Sequence, residues 1–383
     1  MNYDSTTERR ASAGSAPAIL SAVVRSRRSL ARAVAIVAFC GLSTALTAGD
    51  RQPKSPWDLK LFRFEFDNDT FLGSDDAFTA GWSFQVHSRV MDRWNPAFAG
   101  WIGKLPGLGD DGQGRRVARW AFALSQIILT PEDISIAAPQ PNDTPWAGIL
   151  GASGTWSSYD NKRLGAMQLY LGCMGPCSQA EHVQKFVHED LGFGETPEGW
   201  ANQLSNKTLV NLNYEYRHKL YVVEEAAYLP GRFATDLALG SEAAVGNLTT
   251  RLNGEVEFRF GWGLPMGFTK NPDPAGIGMV LDPVYFDPEK PLTNLKGWRF
   301  YFNLTGRYAW ITYLAPAEGG PTENGGTHPA LDSYPGAKQG LLGVHLTRVP
   351  FSVHLTYYRY FGSLPSGLNG GLDWVNFSFE YRF

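Results

Sequence analysis

The sequence predicts an all-β fold: a transmembrane antiparallel β-barrel of about 12 strands, with a short helix at the extracellular rim. Three observations predict it. Aromatic residues make up 13% of the 383-residue chain, with 42 Gly and only 19% charged residues. That composition suits strands that are half lipid-facing and half polar. Short segments alternate bulky apolar with polar residues along most of the chain. The last of them, Leu372 to Phe383, alternates Val375, Phe377, Phe379, Tyr381 and Phe383 and stops on the aromatic. A soluble β-sandwich would share the first two features. A closing aromatic strand together with an export signal favours the barrel. It looks like the assembly signal of bacterial outer-membrane barrels, which makes the barrel-assembly machinery an expected partner and the bacterial outer membrane the expected location.

The export signal comes first. Arg25, Arg27, Arg28 and Arg32 precede the apolar run Ala33 to Ala45, followed by small residues. The run is too short to span a bilayer and suits a cleaved signal peptide. Residues 1–48 are therefore expected to be removed and residues 49–383 to form the barrel. The net charge of −3 carries no basic excess, so no nucleic-acid partner is expected. Cys173 and Cys177 remain in the mature chain. Export would place them in an oxidising compartment, where a short-loop disulfide can form.

Strand signals then follow in order. Phe62, Phe64 and Phe66 oppose Arg63, Glu65 and Asp67. Trp82, Phe84 and Val86 oppose Ser83, Gln85 and His87. Val210, Leu212, Tyr214 and Tyr216 oppose Asn211, Asn213, Glu215 and Arg217. Val256, Phe258 and Phe260 oppose Glu255, Glu257 and Arg259, and Phe300, Phe302 and Leu304 oppose Tyr301, Asn303 and Thr305. In a barrel the apolar face meets lipid and the polar face lines the lumen. Strand starts are read near Leu59, Phe78, Val117, Ala147, Leu164, Lys207, Arg232, Leu248, Trp298, Lys338, Phe351 and Leu372. An even count puts both barrel ends on the periplasmic side, with odd strands running outward. The connection Pro265 to Gly297, with six prolines, reads as a mobile outer loop, and Ala315 to Pro335 as a second outer connection.

One stretch breaks the β pattern. Ser178 to Asp190 has helical spacing, with Ser178 three residues before Glu181 as the N-cap. Val183, Val187 and Leu191 form an apolar stripe, and Gln184 and His188 sit four apart on one face at its edge. From the helix alone, His188 reads first as a satisfied structural histidine. Strand counting brings this helix to the same rim as Asn68, Asp69 and Thr79. Oxygen donors there, in Asn68-Asp69 and Asp75-Asp76, are the hard ligands Ca²⁺ prefers, although acidic turns are commonly just solvated. No serine elbow competes: Gly151-Ala152-Ser153-Gly154 is followed by Thr155. The simplest hydrolytic scheme is water activated by a histidine, with a cation as electrophile.

Seven motifs occur in order: Asn68-Asp69, Asp76-x-Phe78-Thr79-x-Gly81, Gln126-x-x-x-Thr130-Pro131, Asp143-x-Pro145-Trp146-Ala147-Gly148, Gly175-Pro176, Gln184-x-x-x-His188 and Gly199-Trp200-x-x-Gln203-Leu204. Together they resemble the outer-membrane lipid A 3′-O-deacylase family, from about Leu59 through Tyr216. The resemblance implies a twelve-stranded barrel that hydrolyses the 3′-linked acyloxyacyl ester of lipid A in a Ca²⁺-dependent site between the wall and a short helix. His188 would be the general base and Gln184 would position it or the water. Asp69 would bind calcium, and Asn68 and Thr79 would orient the metal site or the carbonyl. Lipid A of lipopolysaccharide and the outer-membrane lipid around it would be the partners. Two departures stand out. The family's lysine after the third strand has no match in Glu132-Asp133-Ile134-Ser135-Ile136, leaving Lys162 or Lys185 as stand-ins. A glutamate expected six residues after the histidine is Gly194, with Glu195 adjacent. A phospholipid esterase on the same barrel and a non-catalytic channel or structural barrel are the alternatives. Protein purified from outer membranes should begin just after Ala45 or Ala48 on N-terminal sequencing; retention of Arg25 to Arg32 would refute the export reading.

Overall fold

A sheet that spans a bilayer has to close, because lipid satisfies no open backbone N–H or C=O group. This chain closes with twelve strands. The computed structural model describes residues 58–68, 80–92, 94, 100–109, 116–192, 194–222, 231–269, 277–282, 284, 297–331, 336–361 and 373–383. In chain order the strands are β1 (Leu59–Asn68), β2 (Ala80–Ser88), β3 (Val117–Leu129), β4 (Ala147–Tyr159), β5 (Arg163–Met174), β6 (Lys207–Val222), β7 (Phe233–Gly246), β8 (Thr249–Trp262), β9 (Arg299–Leu314), β10 (Gly320–Pro321), β11 (Thr327–His328), β12 (Ala337–Arg348), β13 (Phe351–Phe361) and β14 (Asp373–Arg382). The short β10 and β11 pair as a separate hairpin. The other twelve form one antiparallel barrel in chain order, closed where β1 pairs with β14. The expected starts agree within one residue wherever the chain is described; Phe78 and Leu372 lie outside the described residues.

Strand parity sorts the side chains. Arg63, Glu65 and Asp67 point into the lumen, and Phe62, Phe64 and Phe66 point out. The same split holds on β6, where Asn211, Asn213, Glu215 and Arg217 face inward and Val210, Leu212 and Tyr216 outward. The predicted lumen charges are therefore correct, and they pair with one another. Arg217 meets Glu255 and Glu257, each at 3.0 Å, and Arg259 meets Asp236 at 2.8 Å.

Among the described residues both ends of the lumen hold packed side chains. At the end away from the barrel termini, Ile127, Ile149, Tyr170, Leu341, Tyr358 and Trp374 form an apolar layer inside the wall. At the other end the β8–β9 connection turns inward. Leu264, Met266, Phe268, Met279 and Leu281 pack against Val117, Tyr159 and Leu164 at the ends of β3, β4 and β5. Wall side chains also hold its backbone: Arg63 donates to Leu281 O at 2.6 Å, Arg259 to Gly267 O at 2.7 Å, and Gln168 to Gly278 O at 2.9 Å. Asp282 accepts from Arg119 and, at 2.6 Å, from Arg382.

This corrects the expected mobile outer loop at Pro265 to Gly297. As β8 is the eighth strand, it ends at the side of the barrel termini, and the described parts of the connection are an ordered plug. Its apolar residues and bare carbonyls find partners only inside the wall. The Ala315 to Pro335 connection follows an odd strand and lies at the opposite end, as expected. In planar bilayers the intact protein should show no steady conductance, and excising residues 264–282 should open one. Asp282→Ala, which leaves Arg119 without its carboxylate, should cost about 3–5 kcal/mol, read as a lower unfolding midpoint in urea.

Candidate active site on the outer wall

The helical stretch sits on the outside of the barrel. Gln126 and Ile128 of β3 and Gly148 of β4 point outward by parity, yet are covered. Ala180, Trp200, Trp146 and Ile134 pack over Ile128, with Val183 at the margin. Gly148 is required there: a Cβ on it would fall 2.0 Å from Ser178 Oγ and 2.2 Å from Ala180 Cβ. The chain leaves β5 through Gly175 (φ 100°) and a 3₁₀ turn, Pro176–Ser178. A disulfide between Cys173 and Cys177 ties that turn to the strand it has just left. Gln126 completes the anchor, donating to Ser178 O at 2.6 Å while accepting from the Trp82 indole at 2.9 Å.

The helix itself is shorter than predicted. Helix α1 spans Ala180–Lys185 and widens into a π turn, Phe186–Asp190, where Leu191 N–H donates to Phe186 O at 3.1 Å. Its N-cap is Gln179, in the left-handed region at φ 58°, rather than Ser178. Ser178 Oγ instead donates to Gly175 O at 2.6 Å and accepts weakly from Ala180 N–H at 3.3 Å. Glu181 does not close a capping box; it pairs with Lys185 at 2.6 Å. Widened turns of this kind re-aim one side chain and recur at functional sites. Here the turn carries His188.

His188 is half-buried. Its Nδ1 lies 2.7 Å from the backbone oxygen of Glu195. A carbonyl only accepts, so Nδ1 carries the hydrogen, and in the neutral tautomer this selects, the lone pair is on Nε2. Gly194 (φ 82°) permits this approach, since a Cβ there would sit 3.1 Å from the ring. The glutamate expected at position 194 is absent, and the ring's partner here is the backbone oxygen of Glu195. Gln184, one helical turn earlier, is buried at 2% exposure, and its Oε1 accepts the Trp200 indole N–H at 2.7 Å. The structure therefore brings Gln184 and His188 to one outer-wall site.

Asn68 belongs to the same face and height. It ends β1 on the outward side, and the register runs Asn68 to Ala80, Ala80 to Ile128 and Ile128 to Gly148. Two strand spacings, about 10 Å, separate it from Ile128 beneath the helix. Asp69 and Thr79, the chain neighbours of Asn68 and Ala80, lie outside the described residues. Among the described residues no group of three or more His, Cys, Asp or Glu is placed to hold a metal ion. Asp143 is engaged locally, accepting from Thr144 N–H at 2.6 Å and Glu132 N–H at 2.9 Å.

Of the two lysines considered as stand-ins, Lys162 lies in the β4–β5 turn at the other end of the barrel. Lys185 is at the site, where its hydrogen bond to Glu181 raises its pKa. Sequence reasoning missed the Trp200–Gln184 bond, the Glu195 carbonyl and a clamp from the outer hairpin. In that clamp Gln203 donates to Glu323 at 2.8 Å and Asn324 donates to Asn202 at 2.7 Å, and Leu204 bridges to Thr322. The Gly199-Trp200-x-x-Gln203-Leu204 motif was the available signal. A Cβ on Gly199 would fall 2.4 Å from the Trp146 indole nitrogen.

Any side chain at position 148 should lift the helix from the wall. Gly148→Val should make the 176–204 segment cleavable in limited proteolysis, with the barrel intact; equal resistance to wild type would refute this docking. Breaking the five-residue disulfide loop with Cys173→Ser should cost about 2 kcal/mol in the chain-entropy account.

Three comparisons place this geometry among known proteins. No curated protein sequence matches the chain. The solved structure of LpxR from Salmonella typhimurium superposes with a TM-score of 0.63 at 14% identity, covering 84% of this chain and all of that one. The β domain of the Bordetella autotransporter BrkA (TM-score 0.39, 8% identity, 85% of this chain and 99% of that chain) and an outer membrane channel from Pseudomonas putida F1 (0.37, 9%, 88% and 100%) are more distant barrels. A family model described as outer membrane protein LpxR matches residues 33–317. The protein is an outer-membrane β-barrel, and it belongs to the LpxR family.

Proposed function

We propose that this barrel is a lipid A deacylase that removes the 3′-linked acyloxyacyl chain by ester hydrolysis. Family membership supports the substrate class. The observation that carries the chemistry is His188, with Nδ1 tied to the Glu195 carbonyl and Nε2 left basic, beside a buried amide on the lipid-facing wall. His188 Nε2 accepts a proton from water as the water oxygen bonds to the ester carbonyl carbon. The Nδ1–H bond to Glu195 strengthens as the ring becomes cationic. The bond from the carbonyl carbon to the sugar oxygen then breaks. His188 returns the proton to that oxygen, leaving a free hydroxyl and a carboxylic acid.

Calcium is part of the proposal, with Asp69 as its ligand and Asn68 and Thr79 orienting the metal site or the carbonyl. When bound, the cation would stabilise negative charge developing on the carbonyl oxygen. Support for it is the hard-oxygen chemistry of Asn68-Asp69 and the outward placement of Asn68 in the row that leads to the helix. The lumen plug weighs against a channel, and Ser153 is no rival nucleophile, since it faces the lumen at 2% exposure.

Mass spectrometry of lipid A from cells making the wild type should show loss of the 3′ chain. His188→Ala should lower turnover at least a hundredfold, by removing general-base catalysis. With purified protein, a chelator should stop release and calcium restore it, and Asp69→Asn should not be restored. Unaltered lipid A with the wild type in calcium sinks the reading. Fatty acid released from defined phospholipids, with lipid A untouched, would move the substrate to phospholipid.

A further inference from the structure

The Trp200 bond decides what Gln184 offers to a reaction. An indole nitrogen can only donate, so the Gln184 atom 2.7 Å from Trp200 Nε1 has to be its oxygen. The amide therefore cannot flip. Among the described residues Gln184 Nε2 is left buried with no hydrogen-bond partner, whereas buried amide donors ordinarily find one. Trp200 is itself held firmly. It is 1% exposed, and its ring lies 5.0 Å from that of Trp146. The chain just after it is pinned to the outer hairpin through Asn202 and Gln203.

We propose that Trp200 is a positioning residue: its indole N–H locks the Gln184 amide so that Nε2–H, and not the amide oxygen, is presented to the carbonyl oxygen of the reacting ester. The inference rests on the deacylase reading of this same site. A donor fixed in advance where negative charge develops needs no reorganisation during the reaction. An amide free to turn would offer its oxygen as readily, and oxygen repels a developing oxyanion. The arrangement also explains glutamine rather than glutamate. A carboxylate would accept from Trp200 equally well, and its second oxygen would face the substrate with no hydrogen to give.

Full-length protein in detergent micelles, with lipid A and calcium, tests this through Trp200→Phe, Gln184→Ala, Gln184→Glu and the Trp200→Phe/Gln184→Ala double variant. Heat-modifiable gel mobility confirms that each barrel is folded. Trp200→Phe should lower kcat about tenfold to a hundredfold with KM little changed, the scale of one hydrogen bond lost from the transition state. The double variant should be no slower than Gln184→Ala, because the two residues act as one unit. Gln184→Glu should be as slow as Gln184→Ala. In ¹⁵N-tryptophan-labelled protein, Gln184→Ala should shift one buried indole N–H resonance, the one missing in Trp200→Phe. Wild-type kcat in Trp200→Phe, losses that multiply in the double variant, or an unmoved indole resonance would each overturn the inference. If Trp200→Phe fails to fold, the Gln184→Glu rate and the resonance shift in Gln184→Ala still decide it. A wild type that releases no acyl chain would bring down the deacylase reading itself, whereas an active wild type with an unaffected Trp200→Phe defeats this inference alone.

Discussion

Everything in this molecule depends on the pairing of β1 with β14. From Leu61 opposite Arg382 to Asn68 opposite Val375, that seam turns a sheet with two open edges into a ring with none. In lipid an open edge would leave each N–H and C=O unmet at several kcal/mol per group. Closure also fixes two faces for the whole circumference. The side-chain period of two then assigns every residue to the lumen or the lipid. The lumen plug and the outer-wall helix are both consequences: one fills the inside of the ring, and the other clings to its outside.

The two faces solve different problems. Inside, charges that water cannot reach must find each other, and Arg217, Glu255, Glu257, Arg259 and Asp236 do so. Outside, a helix on a lipid-facing wall needs a place where the wall recedes. Gly148 provides it by having no side chain, and Gln126 supplies a polar hook to Ser178 where its neighbours are apolar. The closing hairpin, β10–β11, secures the far end of the same segment through Glu323 and Asn324. The two candidate catalytic side chains are thus held between a wall, a disulfide-tied turn and a hairpin clamp.

Much of the barrel was legible because alternation and turn punctuation are local. Strand starts at Val117, Ala147, Lys207 and Phe351 follow from a period of two together with the turn residues between the runs. The placement of Asn68 near the helix was legible too, since counting strands fixes which ends share a rim. The plug was misread. Six prolines argue for an irregular segment but not for where it goes, and only the parity of β8 shows that it leaves at the side of the termini. The π turn and the left-handed Gln179 were illegible because Ser178 to Asp190 keeps regular helical spacing, and no residue in it marks either departure. The Trp200–Gln184 bond joins residues 16 apart in chain and from different elements, so no periodicity contains it.

The outward stance of the helix sets the cost of meeting a lipid. A cavity inside the lumen would require an acyl chain to be drawn out of the bilayer, at about 0.8 kcal/mol for each methylene exposed to water. For the proposed lipid substrate, a site on the outer surface is reached by lateral diffusion within the leaflet, with the chain still dissolved among its neighbours. Encounter there is a search in two dimensions. Its frequency is set by the mole fraction of the target in the leaflet, and not by any concentration in the surrounding water.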